Sequence, residues 1–459
     1  MEAAWHDTIA AIATPLGVGG IGVVRLSGPD AVSVAQRVFV RPGGLPLTRL
    51  QTHRAYHGFV VDAQGERIDE ALLCAMRQPH SYTREDVAEI SCHGGVMIVQ
   101  RVLETVLAQG ARVAEPGEFT RRAFLNGRLD LTQAESVIDL INARTQASHR
   151  AAINQLDGAL SRHLRALRED LIQVSVYLEA GIDFPEEDLQ LVSEAVLCER
   201  LQGVATRLEA LSASFARGRL LRDGMAVAVV GRPNVGKSSL LNALLGRDRA
   251  IVSPQPGTTR DTIEEELSID GVLVRLTDTA GLHAATDVIE QEGMRRARTA
   301  VERAELLIVV FDGSTALTAD DLLVLAETAE APRLLVRNKC DLPPSWTAAD
   351  LISSGPVLDV SALQQHGLGE LEQAIVRQAL GNEPLSQDEV LLTRARHHRS
   401  IVAALENVRA ARHGLQHEMP LECVALDVGE ALQSIADVLG ESVAGEVLDR
   451  IFHQFCVGK

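Results

Sequence analysis

The stretch Gly231-Arg-Pro-Asn-Val-Gly-Lys-Ser-Ser239 constrains this chain more than any other, because it fits G-x-x-x-x-G-K-[ST] and follows the apolar run Met225 to Val230. A buried strand that turns through such a loop into a leucine-bearing helix, here Ser238 to Leu245, aims backbone N–H groups and a helix N-terminus at one anion. Val235, Gly236 and Ser239 lie in the cradle itself. Lys237 reaches the β- and γ-phosphates in such a loop, and the Ser238 hydroxyl holds Mg²⁺.

Further segments in the expected order turn a generic phosphate loop into a guanine-nucleotide site. Gly257-Thr-Thr-Arg-Asp261 offers Thr259 as a second Mg²⁺ ligand. Asp278-Thr279-Ala280-Gly281 follows the strand Val272 to Leu276, with Asp278 suited to hold the metal's water shell and Gly281 to let backbone approach the γ-phosphate. Asn338-Lys339-Cys-Asp341 ends the strand Leu334 to Val336. The Asp341 carboxylate matches the two donors, N1 and the 2-amino group, that guanine presents and adenine lacks. Ser361-Ala362-Leu363, after Val357 to Val360, completes the set.

At 459 residues the chain is expected to hold two to four domains. It has no run of 18 apolar residues and no basic-then-apolar start, so neither a membrane span nor a secretory signal is expected. Six cysteines without a CxxC pair fit a reduced, cytoplasmic protein. The formal net charge of -18 argues against unaided, non-specific nucleic-acid binding, which requires Lys and Arg to neutralise phosphates.

The pattern predicts a nucleotide domain inserted into something else. Residues 223–381 alternate strands and helices and are expected to form a parallel, doubly wound P-loop GTPase domain of Ras-like type. Residues 121–222 and 382–459 are helical in period and are expected to pack as one discontinuous bundle. Within them, Thr132 to Ala180 predicts one long helix or two, opened by the capping box Thr132-x-x-Glu135. Residues 1–120 mix five strand-like runs with a helix from Val96 to Gln109, a small α+β domain.

Long segments resemble the MnmE (TrmE) family of tRNA-modification GTPases: Thr8-Ile-Ala-Ala-Ile-Ala-Thr-Pro15, Gly19-Gly-Ile-Gly22, Val24-Arg-Leu-Ser-Gly28, His93-Gly-Gly95, Pro116 to Leu131, Gly181-Ile-Asp-Phe-Pro185 and Phe455-Cys-Val-Gly-Lys459. The resemblance implies a chain that works with an FAD-dependent partner, MnmG (GidA). Together they would place an aminomethyl or carboxymethylaminomethyl group on C5 of the wobble uridine (position 34) of certain tRNAs. The one-carbon unit would come from 5-formyltetrahydrofolate or methylenetetrahydrofolate. It also implies a homodimer formed through a folate-binding-like N-terminal domain, and no membrane partner. A regulatory or ribosome-assembly GTPase that only switches partners is the alternative, and no basic RNA-binding appendage favours it.

By the same resemblance Arg25, Glu89 and Arg128 form the folate site with Lys459 close by, and Arg128 stands where many relatives have lysine. A folate glutamate tail calls for cations and a pterin edge for a carboxylate, which these residues supply. Cys456 lies beside that site as a suspected participant in the modification or as a structural thiol. The glutamine that orients water in many small GTPases is replaced by Leu282, followed by His283 where the resemblance implies the arginine common in relatives. The family pattern answers this with K⁺, held by Asn234, Ser253, Gln255 and Thr258 between paired nucleotide domains, and with Glu290 to orient water.

Overall fold

The computed structural model describes residues 7–43, 45–47, 49–183, 193–247, 264–278, 301–351, 355–381, 389–443 and 445–459. The chain divides into two compact units, Met1–Ile138 with Ile435–Lys459, and Asp139–Ser434. This division groups residues 121–138 and 435–459 with the N-terminal residues, whereas the three-domain expectation gives them to the helical bundle.

The first unit is built on an eight-stranded sheet. Its strands are β1 (Ile9–Ile12), β2 (Gly19–Ser27), β3 (Phe39–Arg41), β4 (Leu45–Pro46), β5 (Arg54–Val61), β6 (Arg67–Met76), β7 (Val87–Gly94) and β8 (Arg112–Val113), in the order β4-β3-β5-β6-β7-β2-β1-β8. All pairings are antiparallel except β1 with β8. Side chains alternate across a strand. Val24 and Leu26 of β2, Leu73 of β6 and Ala88 and Ile90 of β7 therefore share the face that buries the helices Ala31–Arg37 and Val96–Ala108. Arg25 and Glu89, opposite each other in the β2–β7 register, point to the other face. Late in the chain, the helix Gly445–Phe452 packs Leu448, Ile451 and Phe452 on Leu131 and Ala134.

The helical stretch after residue 130 differs from expectation. Three helices occur, Leu131–Asn142, Gln146–Leu156 and Ala159–Asp183, instead of one or two. The first break is set by Thr145, whose hydroxyl accepts from the Ser148 N–H at 3.1 Å while Ser148 Oγ accepts from the Thr145 N–H at 3.1 Å. The second falls at Asp157-Gly158. The expected cap at Thr132 is also displaced: Asp130 Oδ1 accepts from the Gln133 N–H at 3.0 Å, and Gln133 Oε1 accepts from the Asp130 N–H at 3.1 Å. Aspartate at the helix boundary captures the free N–H before a threonine one residue inside can do so.

In the second unit the helix Glu194–Ala213 packs against Ala159–Asp183 and Ala395–Gln416, burying Leu201, Leu208, Leu171 and Ile401. The nucleotide domain carries β9 (Met225–Val230), β10 (Glu264–Ile269), β11 (Val272–Asp278), β12 (Leu306–Asp312), β13 (Arg333–Asn338) and β14 (Val357–Val360), in the order β10-β11-β9-β12-β13-β14. The five strands expected from the pattern are present, and a sixth joins them at the edge. Five strands are parallel, but β10 is an antiparallel edge strand joined to β11 by Asp270-Gly271, with φ of 46° and 86°. Positive φ at both central residues is the type I′ hairpin signature, carried by an Asp-Gly pair. Helices Lys237–Arg247 and Leu368–Leu380 cover one face and Ala319–Glu327 the other. The carboxyl ends of the parallel strands converge on the loop after β9.

Candidate functional site

The fully apolar β9 delivers the chain into Gly231–Gly236 and the helix Lys237–Arg247. Asn234 adopts φ 65° and Gly236 φ 98°, which folds the loop back on itself so that successive N–H groups line a concavity. A Cβ at Gly236 would lie 2.2 Å from Asn338 Nδ2, so only glycine lets the loop approach the guanine motif. Lys237 is buried, 5% exposed, and its Nζ donates to the carbonyls of Gly231 at 2.7 Å and Arg232 at 2.8 Å. Ser238 and Ser239 are exposed on the first helical turn, and the Asn234 side chain is exposed at the loop tip.

The guanine motif is tied to this loop by direct bonds. Asn338, 2% exposed, donates from Nδ2 to the Val235 carbonyl at 2.9 Å and accepts the Ala362 N–H on Oδ1 at 3.1 Å. One buried amide thus spaces the phosphate loop, β13 and the segment after β14. Lys339, at φ 63°, donates to the Asn234 carbonyl at 3.2 Å and to Asp312 Oδ2 at 2.6 Å. Ser361 Oγ donates to Asp341 Oδ1 at 2.6 Å, orienting the carboxylate, and the Leu363 side chain stands exposed beside it. Asp312, which no sequence motif marks, also belongs to this arrangement. The available sign was an aspartate ending an apolar strand, and the register with Asn338 came only with the fold.

Asp278 ends β11 opposite Val229, where a strand-end carboxylate is expected, and only its backbone is described. Ser253, Gln255, Thr258, Thr259, Thr279, Ala280, Gly281 and Glu290, with Leu282 and His283, lie outside the described residues. Of the metal-ligand sets, Ser238 and Asn234 alone are described, and among the described residues no cluster of three His, Cys, Asp or Glu forms a metal centre.

A second arrangement lies in the first unit. Arg25 Nε donates to Glu89 Oε1 at 2.8 Å, and its Nη1 donates to the Gly458 carbonyl at 3.3 Å. The Tyr82 ring is approached by two cations, with Arg25 5.6 Å and Arg128 4.7 Å from its centroid, and Arg128 also donates to the Tyr82 carbonyl at 2.8 Å. Gly458 makes the chain end fit: at φ 97°, a Cβ there would meet the Ile12 carbonyl at 2.4 Å. Val457 bridges Pro116, and the Cys456 carbonyl accepts the Gly117 N–H at 3.4 Å. Lys459 is half-buried, and burial followed by the charge of Arg25 lowers its pKa. The Cys456 side chain is exposed. Arg25 and Glu89 are therefore bonded, with Lys459 within electrostatic reach of both and Arg128 joined to Arg25 through Tyr82, a residue that sequence reasoning missed. Two guanidiniums, an ammonium, a carboxylate and an aromatic ring are a donor set suited to a flat heterocycle bearing carboxylates.

Residues 457–459 apart, both arrangements lie within segments that match known family models. Residues 8–128 match the GTP-binding protein TrmE N-terminus, and residues 131–456 match the MnmE helical domain. A tRNA modification GTPase MnmE of Chloroflexus aurantiacus is 48% identical over 459 residues, covering 99% of this chain and 100% of that protein. The chain belongs to the MnmE family of tRNA modification GTPases. The MnmE proteins of Geobacter sulfurreducens, 45% identical over 456 residues, and Lactiplantibacillus plantarum, 44% over 460, match as fully, each covering 99% of this chain. As an MnmE-family member the chain is a GTPase, and its P-loop and guanine motif are held together as the geometry above describes. Among the described residues no helix is long and apolar enough to cross a membrane.

Proposed function

We propose that this chain is a GTP-hydrolysing tRNA-modification protein of the cytoplasm. With an FAD-dependent MnmG partner it would add an aminomethyl or carboxymethylaminomethyl group to C5 of wobble uridine, drawing the carbon from a tetrahydrofolate donor. What supports this reading is the coexistence of two separate polar arrangements in one polypeptide. One is the loop braced by Asn338 for a guanine nucleotide, the other the Arg25–Glu89–Tyr82–Arg128 corner for a carboxylate-bearing heterocycle.

In the nucleotide site, Lys237 is placed to exchange part of its carbonyl bonding for β- and γ-phosphate oxygens, and the Ser238 hydroxyl to face the same anion. Asp341, oriented by Ser361, selects the base. Glu290 is the proposed water-orienting residue. Mg²⁺ and K⁺, when bound, supply positive charge where the phosphoryl oxygens gain negative charge. Ser238 with Thr259 would hold the first, and Asn234 with Ser253, Gln255 and Thr258 the second, between paired nucleotide domains of a homodimer. In the first unit, Arg25, Arg128 and Lys459 would take the folate carboxylates and Glu89 the pterin edge, with Cys456 beside them.

Mass spectrometry of tRNA nucleosides from a deletion strain tests the reading. Loss of the C5 modification, restored by the native chain and by neither Lys237→Ala nor Arg25→Ala, is the expected result. Unchanged wobble uridines in the deletion strain would overturn it and leave the switch-only GTPase.

A further inference from the structure

We propose that Asp312 is a positioning residue for the guanine nucleotide, acting through Lys339 to fix the carbonyl of Asn234 and hence the curvature of the phosphate loop. It rests on the reading of Asn338 to Asp341 as the guanine motif.

The residue is built in from every side. Asp312 is 7% exposed at the carboxyl end of β12, in register with Asn338 of β13. Its Oδ2 accepts Lys339 Nζ at 2.6 Å. Its Oδ1 accepts the Ser314 N–H at 2.9 Å and the Ser314 hydroxyl at 2.6 Å. Its own carbonyl accepts the indole N–H of buried Trp346 at 2.8 Å, and the next residue, Gly313, donates its N–H to the Asn338 carbonyl at 2.8 Å. Burial alone would raise the Asp312 pKa, but the bonds from Lys339 and Ser314 outweigh it and hold the carboxyl below its ordinary range. A buried anion therefore faces the lysine at neutral pH.

Lys339 needs such a partner. Its backbone sits at φ 63°, a conformation costly for a non-glycine residue, and its flexible ammonium spans from Asp312 to the Asn234 carbonyl. Asn234 is itself left-handed, at φ 65°. Two strained positions, one in the guanine motif and one in the phosphate loop, are thus linked through one ammonium, and Asp312 fixes where that ammonium sits. The segment after Asp312 adds a second brace on the same loop. Arg232 Nη2 donates to Thr315 Oγ1 at 2.6 Å, and its Nε lies 3.1 Å from Asp321 Oδ1. Asp321 is 2% exposed and caps the helix Ala319–Glu327. The loop leaving β12 therefore touches the phosphate loop at both its second and fourth residues, directly at Arg232 and through Lys339 at Asn234. Preformed curvature lowers the ordering cost of binding, and its loss is read mainly in dissociation.

The test uses the full chain and a fluorescent GDP analogue. Asp312→Asn, which keeps shape and removes charge, is expected to raise Kd about 10-fold, mostly through koff, with a single cooperative melting transition retained. Lys339→Ala should weaken binding at least as much, and the double variant should bind within about twofold of Lys339→Ala alone, because the two act as one unit. Binding by Asp312→Asn equal to the native chain, or effects that multiply in the double variant, would overturn the proposal. Should Asp312→Asn fail to fold, Ser314→Ala carries the test, with a rise in Kd of about threefold supporting it and no rise overturning it. Failure of the native chain to prefer GDP over ADP would instead sink the guanine reading on which the proposal stands.

Discussion

The nucleotide site and the Arg25 corner are made in opposite ways. In the first, backbone does most of the recognition: loop N–H groups are shaped by Asn234 and Gly236 and pinned by Asn338 and Lys339 from a neighbouring strand end. In the second, side chains do it, and the closing contact joins Arg25 to Gly458, 433 residues away. A backbone site tolerates little change in the loop but much around it, whereas a side-chain site can be retuned one residue at a time. The difference also predicts that the two sites can be disabled separately.

The largest expected effect is at Lys237. Lys237→Ala should reduce GTP turnover on the order of 10²–10³-fold, since it removes a donor from the developing phosphate charge, while folate binding by equilibrium dialysis stays unchanged. Loss of both activities would break the separation. Asp341→Asn should weaken GTP on the order of 10²-fold and move preference toward xanthosine triphosphate, measured by competition. Equal loss for both nucleotides would mean that Asp341 does not read the base. On the other side, Arg25→Ala should weaken 5-formyltetrahydrofolate roughly 10-fold or more with GTP turnover intact.

The smallest effect is one of pH. Glu118, 2% exposed, accepts bonds from Arg112 at 2.7 Å, Arg122 at 2.9 Å and the Glu115 N–H at 2.8 Å. Burial would raise its pKa, but these bonds outweigh burial and hold it below the ordinary 4.5. A depressed carboxylate stabilises the fold above its unfolded pKa and loses that contribution as pH falls through the folded value. Hydrogen-exchange protection of Glu118–Leu125 should therefore decline as pH drops below about 4.5, less so in Glu118→Gln, with exchange corrected for its intrinsic pH dependence. An identical decline in the variant would remove Glu118 from the account.

The same contrast explains what the sequence made legible. The phosphate loop could be read directly because phosphate recognition needs contiguous residues at fixed spacing, and the order of the later motifs follows strand ends that must meet on one edge. Asp312 escaped because its partner comes from a neighbouring strand, and no local spacing encodes a cross-strand pair. β10 escaped because Glu264-Glu265-Glu266-Leu267-Ser268-Ile269 has only two apolar residues, although Asp270-Gly271 was a usable hairpin sign. The displaced cap at Asp130 and the break at Thr145 show the same limit, since several short polar residues competed for each helix start. The Arg25 corner was reached through family resemblance alone, and Tyr82, which both of its arginines approach, was not foreseen.

The packing of Leu448, Ile451, Phe452 and Phe455 on Leu131 and Ala134 also sets an order of events during translation. The segment that covers those two residues leaves the ribosome roughly 300 residues after they do, which at ~5–20 residues per second is roughly 15–60 s. For that interval the N-terminal unit exists as a nascent fragment with an uncovered apolar patch, while the whole nucleotide domain is synthesised and can fold. The Arg25 corner, whose closing contact uses Gly458, is then the last thing the chain acquires.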